Sequence, residues 1–183
     1  MSILFLAINK INDLLNYTFA KKVSAMDLPV FLRLVNTSWK MRLFLLQKLP
    51  SAWFMGIGVR HCDESQTTVS LPYGWRSQNP FRSTYFAAQC AAAELSTGLL
   101  AMAHLQGKQP VSMLVTHIEA EFLKKADQTL LFTCAEGAEL SNAIARTLEN
   151  GEAQVYRASS VGRLPDGAVA VQVWVTWSFK RKK

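Results

Sequence analysis

One stretch of the sequence, from Ser83 to Gln106, contains a single Asp, Glu, Lys or Arg, which is Glu94. Most of its other residues are Ala, Leu or similarly small and apolar, and Gly107 stands where helices commonly end. A helix that is apolar on nearly all sides is normally buried in a core. The stretch therefore predicts a long helix enclosed by the rest of the domain.

Segments with period-two alternation lie on both sides of this helix. The clearest is the last, where Val169, Val171, Val173, Val175, Trp177 and Phe179 alternate strictly and so share one face. Runs of strands around one long helix predict an α+β fold, with an antiparallel sheet wrapped around the helix. Strands are predicted at residues 54–62, 67–73, 111–122, 129–136, 153–161 and 168–179, and a short helix at 138–149.

The N-terminal part predicts a helical arm, residues 1–50, in front of the domain, residues 51–183. Residues 1–22 have a weak helical pattern, Asp27 is a candidate N-cap, and Pro50 ends the pattern that follows it, with a possible break at Thr37 or Ser38. Basic side chains alternate with the apolar ones in this arm. It is expected to pack on the domain or on a second subunit, or, alternatively, to lie on a membrane surface.

The net charge of +7 is concentrated at the two ends of the chain. Residues 1–50 have seven Lys and Arg against Asp13 and Asp27, a sum of +5, and residues 180–183 add +4. Residues 51–179 have nine basic and eleven acidic residues, a sum of −2. Because no basic-aromatic motif accompanies the charge, nucleic acid is not an expected partner.

Three cysteines, Cys62, Cys90 and Cys134, have neither a metal-binding nor a redox spacing. Their odd number argues against a disulfide framework, and the short apolar N-terminus lacks the pattern of a signal peptide. A cytoplasmic location is therefore expected. We expect neither a metal nor another cofactor, since no site motif for one is present.

Glu94 is the strongest candidate functional residue. A carboxylate in an apolar helix is costly unless it is paired, hydrogen-bonded or protonated, and burial would raise its pKa. Such perturbed groups occur often at functional sites. The alternative is that Glu94 faces solvent beside Gln89, Ser96 and Thr97, or pairs with Arg82.

The predicted start of the helix is rich in capping residues, from Asn79 to Thr84. Free N–H groups at a helix start can hold an anion or an oxyanion. Thr84 and Glu94 are ten residues apart, however, which is about 15 Å along a helix. One helix cannot bring both to one reacting group, whereas a symmetric dimer can.

The residues Asn79-Pro-Phe-Arg-Ser-Thr-Tyr-Phe86, followed by small residues up to Glu94, resemble the segment that enters the central helix of the hot-dog fold. Residues 115–126 and 41–59 are similar to other segments of one branch of that superfamily. This branch, the domain of unknown function 4442, is related to acyl-CoA thioesterases of the phenylacetate-pathway type. The resemblance covers about residues 38–183.

The resemblance implies hydrolysis of an acyl-CoA or a similar thioester by a homodimer or a tetramer of dimers. Glu94 would be the general base or the nucleophile, and backbone N–H groups near Ser83, Thr84 and Tyr85 would polarise the thioester carbonyl. Asn79 would hold the loop or the attacking water. Arg82 and Tyr85 would contact substrate, and Lys124 and Lys125 would meet CoA phosphates, unless these lysines are ordinary solvated side chains.

One departure from the branch concerns the helix start. Arg82 stands where glycine is common, and Phe86, Ala87 and Ala88 fill positions of small residues. Close approach of the backbone to a thioester is therefore less assured. The alternative function is a hot-dog module that binds acyl groups, acyl-CoA or a partner protein without catalysis.

Overall fold

Three helices precede the sheet in the computed structural model, which describes residues 26–182; the helix predicted within residues 1–22 lies outside them. Helix α1 spans Leu28–Val35, α2 spans Ser38–Lys48 and α3 spans Pro50–Phe54. Asp27 and Thr37 occupy the N-cap positions of α1 and α2. Pro50 ends α2, as predicted, but it also begins α3, because a proline is well tolerated in the first turn of a helix.

Six strands form one antiparallel sheet in the order β1-β2-β4-β5-β6-β3. This confirms the predicted α+β class and the predicted order of elements. Strand β1 begins four residues later than expected because α3 and a turn at Gly56, where φ is 78°, fill the segment. The strands are β1 Gly58–Cys62, β2 Thr67–Leu71, β3 Val111–Phe122, β4 Leu130–Cys134, β5 Gln154–Arg163 and β6 Val169–Arg181.

Helix α4, Phe86–Leu105, is the long central helix, and α5, Gly137–Asn150, packs beside it. The sheet covers α4 through β2, β4, β5 and β6. The inward side chains of β6 from Val171 to Phe179 are buried, as their alternation predicted. Helix α4 is long and apolar enough to cross a membrane, yet 67% of its most apolar window is buried, as is typical of a core helix.

Hydrogen bonds between buried side chains fix α4 on the sheet. The hydroxyls of Ser96 on the helix and Ser160 on β5 form a hydrogen bond, with 2.8 Å between their oxygen atoms. Trp177 on β6 donates its indole N–H to the hydroxyl of Thr97 at 3.0 Å. Buried polar groups cost free energy unless they are paired, so these contacts hold the rotation of α4 as well as its position.

The two edges of the sheet differ. At the β1 edge, the side chain of Asn36, at the end of α1, accepts a hydrogen bond from the N–H of Cys62 at 2.9 Å and donates one to its carbonyl at 2.7 Å. The arm therefore covers the end of this edge. Strand β3 forms the other edge, and within the described residues it pairs only with β6.

Candidate functional site at the start of the central helix

Asn79 organises the loop that leads into α4. Its side-chain oxygen accepts hydrogen bonds from the N–H groups of Phe81, at 3.0 Å, and Ser83, at 3.2 Å. Its amide nitrogen lies 3.0 Å from the hydroxyl of Ser83. The hydrogen bonds of the Asn79 side chain are thus made within the loop. The sequence predicted that Asn79 holds either the loop or the attacking water, and these bonds are of the first kind.

Arg82 lies at the tip of this loop with φ of 56°, a conformation that glycine adopts easily and other residues rarely do. The position where the branch commonly has glycine therefore keeps a glycine-like backbone here. The Arg82 side chain is exposed, and no salt bridge joins it to Glu94 in residues 26–182. Arg82 does not neutralise that carboxylate.

The helix begins at Phe86, three residues later than predicted, with Tyr85 as its N-cap residue. The expectation that N–H groups near Ser83, Thr84 and Tyr85 are free is wrong, because all three are already bonded. Their acceptors are the Asn79 side chain, the Ala126 carbonyl at 2.6 Å and the Ser77 carbonyl at 2.7 Å, respectively. These residues build the loop.

The free donors lie one turn further along. The N–H groups of Phe86, Ala87 and Ala88 have no hydrogen-bond acceptor among the described residues, and no side chain caps the helix. The carbonyl of Thr84, which Ala88 would normally use, instead accepts a bond from the Gln89 amide at 3.0 Å. These three N–H groups thus point away from the body of the helix. They lie at its start, where the helix dipole has its positive end.

An open groove of about 500 Å³ lies beside this helix start. Its walls are the loop after Asn79, the first turn of α4, and the chain that leaves β3. Five of the eight predicted site residues line it, whereas Arg82, Tyr85 and Glu94 do not. These five are Asn79, Ser83, Thr84, Lys124 and Lys125.

The two lysines follow the end of β3 and are exposed. Lys124 forms a salt bridge of 3.3 Å with Asp166 in the turn between β5 and β6. Lys125 has no ion-pair partner within residues 26–182. The groove therefore carries one positive charge that the protein does not balance, and a second that is shared with an exposed carboxylate.

Glu94 lies two turns into α4 and is half-buried. No hydrogen bond or salt bridge to its carboxylate occurs in the described part of the chain, and burial raises the pKa of the carboxyl. Gln89, Ser96 and Thr97 are buried, so Glu94 does not share a solvent-facing strip with them. Neither alternative predicted from the sequence, a shared solvent-facing strip or a pair with Arg82, therefore describes the environment of Glu94.

Glu94 belongs to a partly open strip of α4 together with Ala87, Cys90 and Ala91. Gly98, one turn further, leaves room for the ring of Trp177, which lies 3.2 Å from where a side-chain Cβ would stand. Eight residues separate Phe86 from Glu94, or about 12 Å of helix axis. The helix start and the carboxylate of one chain are thus too far apart to act on the same atom.

Gln89 also lines the groove, whereas the sequence predicted for it only a place on the solvent-facing side of the helix. It is 5% exposed, and its side-chain oxygen has no hydrogen-bond partner. The sequence indicates this place in the groove only weakly, since the burial of a glutamine three residues into an apolar helix depends on the loop that folds over it. Its side-chain oxygen is buried and accepts no hydrogen bond within residues 26–182, so Gln89 is a candidate groove residue whose oxygen is not used by the described fold.

Other chemistries lack support. Burial raises the pKa of the Cys134 thiol to about 12, and all three cysteines are free. Such a thiol is not ionised near neutral pH. Among the described residues, no three His, Cys, Asp or Glu side chains come together as metal ligands.

Solved structures with the same fold include several thioesterases. A "probable thioesterase" from Pseudomonas aeruginosa is 13% identical and has a TM-score of 0.65, over 86% of this chain and 98% of that one. A thioesterase from Haemophilus influenzae is 14% identical and has a TM-score of 0.60, over 79% of this chain and 91% of that one. At these identities the similarity establishes the hot-dog fold, and no curated protein matches the sequence.

The family comparison is more specific. The domain of unknown function DUF4442 matches residues 37–177, which is most of the chain and includes the loop, α4, the first five strands and most of β6. The chain therefore belongs to the DUF4442 family and has a hot-dog fold of the kind found in thioesterases.

Proposed function

We propose that this protein hydrolyses an acyl-CoA or a similar thioester at a site shared between two copies of the chain. The observation that carries the proposal is Glu94, a half-buried carboxylate with a raised pKa and no partner among residues 26–182, in a helix that contains no other Asp, Glu, Lys or Arg. An unpaired, partly buried carboxylate costs stability, and groups with a pKa shifted by burial occur often at sites of proton transfer.

In the proposed reaction the N–H groups of Phe86, Ala87 and Ala88 stabilise the negative charge that develops on the thioester oxygen. Glu94 takes the proton of a water molecule as that water attacks the carbonyl carbon. The carbon–sulfur bond then breaks, the sulfur leaves and gains a proton, and a carboxylic acid is released. Direct attack by Glu94 itself, through an anhydride that water then cleaves, remains the alternative path.

The helix start and Glu94 must come from different chains, because they are about 12 Å apart along one helix. The β3 edge, which pairs only with β6 among residues 26–182, supports a dimer: it exposes Leu114, Ile118 and Phe122, together with backbone groups that a second strand can pair. We propose a homodimer, or a tetramer of such dimers. We also propose a cytoplasmic location, since free cysteines suit a reducing compartment.

For the substrate, Lys125 and Lys124 are proposed to attract the phosphates of CoA at the mouth of the groove. Phe81 and Phe86, which also line it, would contact an apolar acyl or pantetheine segment. Arg82 and Tyr85 are exposed beside the groove and are proposed as outer contacts.

The test is an assay of purified protein over short, aryl and long acyl-CoAs, with Glu94→Gln as the variant. Glu94→Gln keeps the shape of the side chain and is expected to lower turnover by about 100-fold or more, the usual contribution of a general base. Arg146→Gln, an exposed substitution on α5, is the control and should leave turnover unchanged. Equal turnover of Glu94→Gln and the wild type would contradict the assignment.

A second candidate is a module that holds acyl groups without hydrolysing them. It is favoured by the bulky Phe86 and the non-glycine Arg82 at the helix start, which restrict the approach of a thioester to the backbone. Native mass spectrometry of the purified protein separates the two functions. A retained acyl ligand with no turnover on any thioester would support binding alone.

A further inference from the structure

The helical arm has an exposed apolar face that neither proposed function uses. On α2, Trp39, Leu43 and Leu46 are spaced by four and three residues, so they lie on one side of the helix. They are 66%, 48% and 44% exposed, whereas Met41 and Leu45 on the opposite side are buried in the core. Helix α2 is therefore apolar on both sides, and only one side is covered within the described residues.

The charge around this face has one sign. Residues 28–62 contain no Asp or Glu. Arg42 belongs to the exposed face itself, three residues after Trp39, and its guanidinium lies 5.8 Å from the ring centre of Trp53. The basic residues in this segment are Arg33, Lys40, Arg42, Lys48 and Arg60.

A cavity of about 170 Å³ lies between α2 and β1; Met41 and Leu45 of the buried side line it, and Arg42 connects it to the border of the exposed face. Arg42 and Arg60 line it from the two elements, and the hydroxyls of Ser38 and Ser70 complete its polar part. Arg60 donates one N–H to Ser70 at 3.0 Å, which fixes its side chain and leaves its other donors free of any carboxylate within residues 26–182. The cavity is therefore positively charged and matches a phosphate group.

Two more exposed aromatic side chains adjoin the same region. Phe54 at the end of α3 stacks edge to face with Trp75 at 5.7 Å. Arg76, the next residue, brings its guanidinium 3.2 Å from where a Cβ of Gly56 would stand, and Gly56 also lines the cavity. Aromatic and basic side chains are thus mixed, as in surfaces that meet the headgroup region of a bilayer.

We propose that α2 and the adjoining cavity dock on the surface of a membrane containing anionic phospholipids. Trp39, Leu43 and Leu46 insert between the lipids, and Arg42 and Arg60 bind a lipid phosphate in the cavity. Charge complementarity selects this occupant, since neither a second copy of this basic segment nor a basic N-terminal segment would match its charge. The active-site groove lies at the start of α4, on other elements, so docking leaves it in place.

The experiment is co-sedimentation of the full chain with vesicles of phosphatidylcholine, either alone or with one third phosphatidylglycerol. We expect binding to the anionic vesicles only, weakened by 0.5 M NaCl because surface charges are screened. The double variant Arg42→Gln, Arg60→Gln should lower the partition constant roughly 25-fold, the effect of two basic residues at an anionic surface. Arg146→Gln, on α5, is the matched control and should bind like the wild type.

The variant Leu43→Ser, Leu46→Ser tests the apolar half of the face and is also expected to lose vesicle binding. Each variant should keep its circular dichroism spectrum and its turnover of a soluble short-chain acyl-CoA, so the outcome is independent of the proposed hydrolysis. Equal binding to neutral and anionic vesicles, or no binding by the full chain, would overturn the proposal. A thermal shift with inorganic phosphate that needs Arg42 and Arg60, without any vesicle binding, would also overturn it and would indicate a site for free phosphate. A change of oligomer mass in the leucine variant would overturn it as well and would indicate an interface between copies.

Discussion

Glu94 is singled out in the sequence because charge is so rare around it, and the structure adds its environment: a half-buried carboxylate whose pKa is raised by burial. Its partly open strip leaves the carboxylate near solvent, while the surrounding Ala side chains and Gly98 provide no hydrogen-bond donor. The sequence could not show that Arg82 forms no salt bridge with Glu94, because that depends on the shape of a loop. The isolation of the charge was predictable, and the absence of a neutralising contact was not.

The raised pKa of Glu94 has consequences for pH dependence. The folded protein binds this proton more tightly than the unfolded chain, so stability is lost as pH rises from the ordinary value of 4.5 through the raised value. We expect Glu94→Gln to gain stability relative to the wild type as pH rises through this range. Urea unfolding at several pH values measures this difference; a constant difference would contradict it.

The same ionisation should control catalysis. A general base must be deprotonated, so the acid limb of kcat/KM is expected at a pH above the ordinary value of 4.5. A pH profile on one acyl-CoA measures this limb. A limb at the ordinary pKa of an exposed carboxyl would show that Glu94 is not the base.

Gln89 can be tested against a matched residue. Gln89 and Gln106 are both buried, each donates its amide to a carbonyl, and each has a side-chain oxygen without a partner, but only Gln89 lines the groove. Methionine at either position removes the amide's hydrogen bond to the Thr84 or Met102 carbonyl together with the unpartnered oxygen, so the two variants should change stability by similar amounts. We expect KM for acyl-CoA to rise only in Gln89→Met; equal KM values in both variants would remove Gln89 from the site.

For the helices and strands, the hydrophobic periodicity and the turn-forming residues of the sequence predicted the fold well. The alternation of β6 and the apolar length of α4 are local signals, and both elements are present at about the predicted positions, apart from the start of α4. The start of α4 was misplaced because Ser83 and Thr84 have the side chains of caps but bond to Asn79 and Ala126. Those partners are set by the folded loop, and for Ala126 by a contact 42 residues away.

Helix α5 provides a test of element packing. Gly137, its first residue, lies against the backbone of Glu64, and an added Cβ would overlap the Glu64 carbonyl. Gly137→Ala should therefore destabilise the protein by about 1–3 kcal/mol through overpacking. Gly74→Ala, where nothing lies within 4 Å, is the control for chemical denaturation and should be nearly neutral. Equal stability of both variants would contradict the packing of α5 on this turn.

For the whole molecule, the antiparallel sheet around one helix follows from the order of elements, and the family match is consistent with that reading. The division into an arm of residues 1–50 and a domain of residues 51–183 stays a prediction. The proposed active site needs more than a single chain, since the groove and Glu94 lie on different parts of α4. Assembly therefore belongs to the mechanism and leaves no local signature in the sequence.

In the proposed shared site, the helix start of one copy works with Glu94 of another. The most direct test of this shared site is a heterodimer of Glu94→Gln and Asn79→Ala chains, isolated with two affinity tags. Each homodimer should be nearly inactive, whereas the heterodimer contains one site with both residues intact and should recover about half of the wild-type turnover. A heterodimer as inactive as its parents would show that each site lies within one chain and would contradict the shared site.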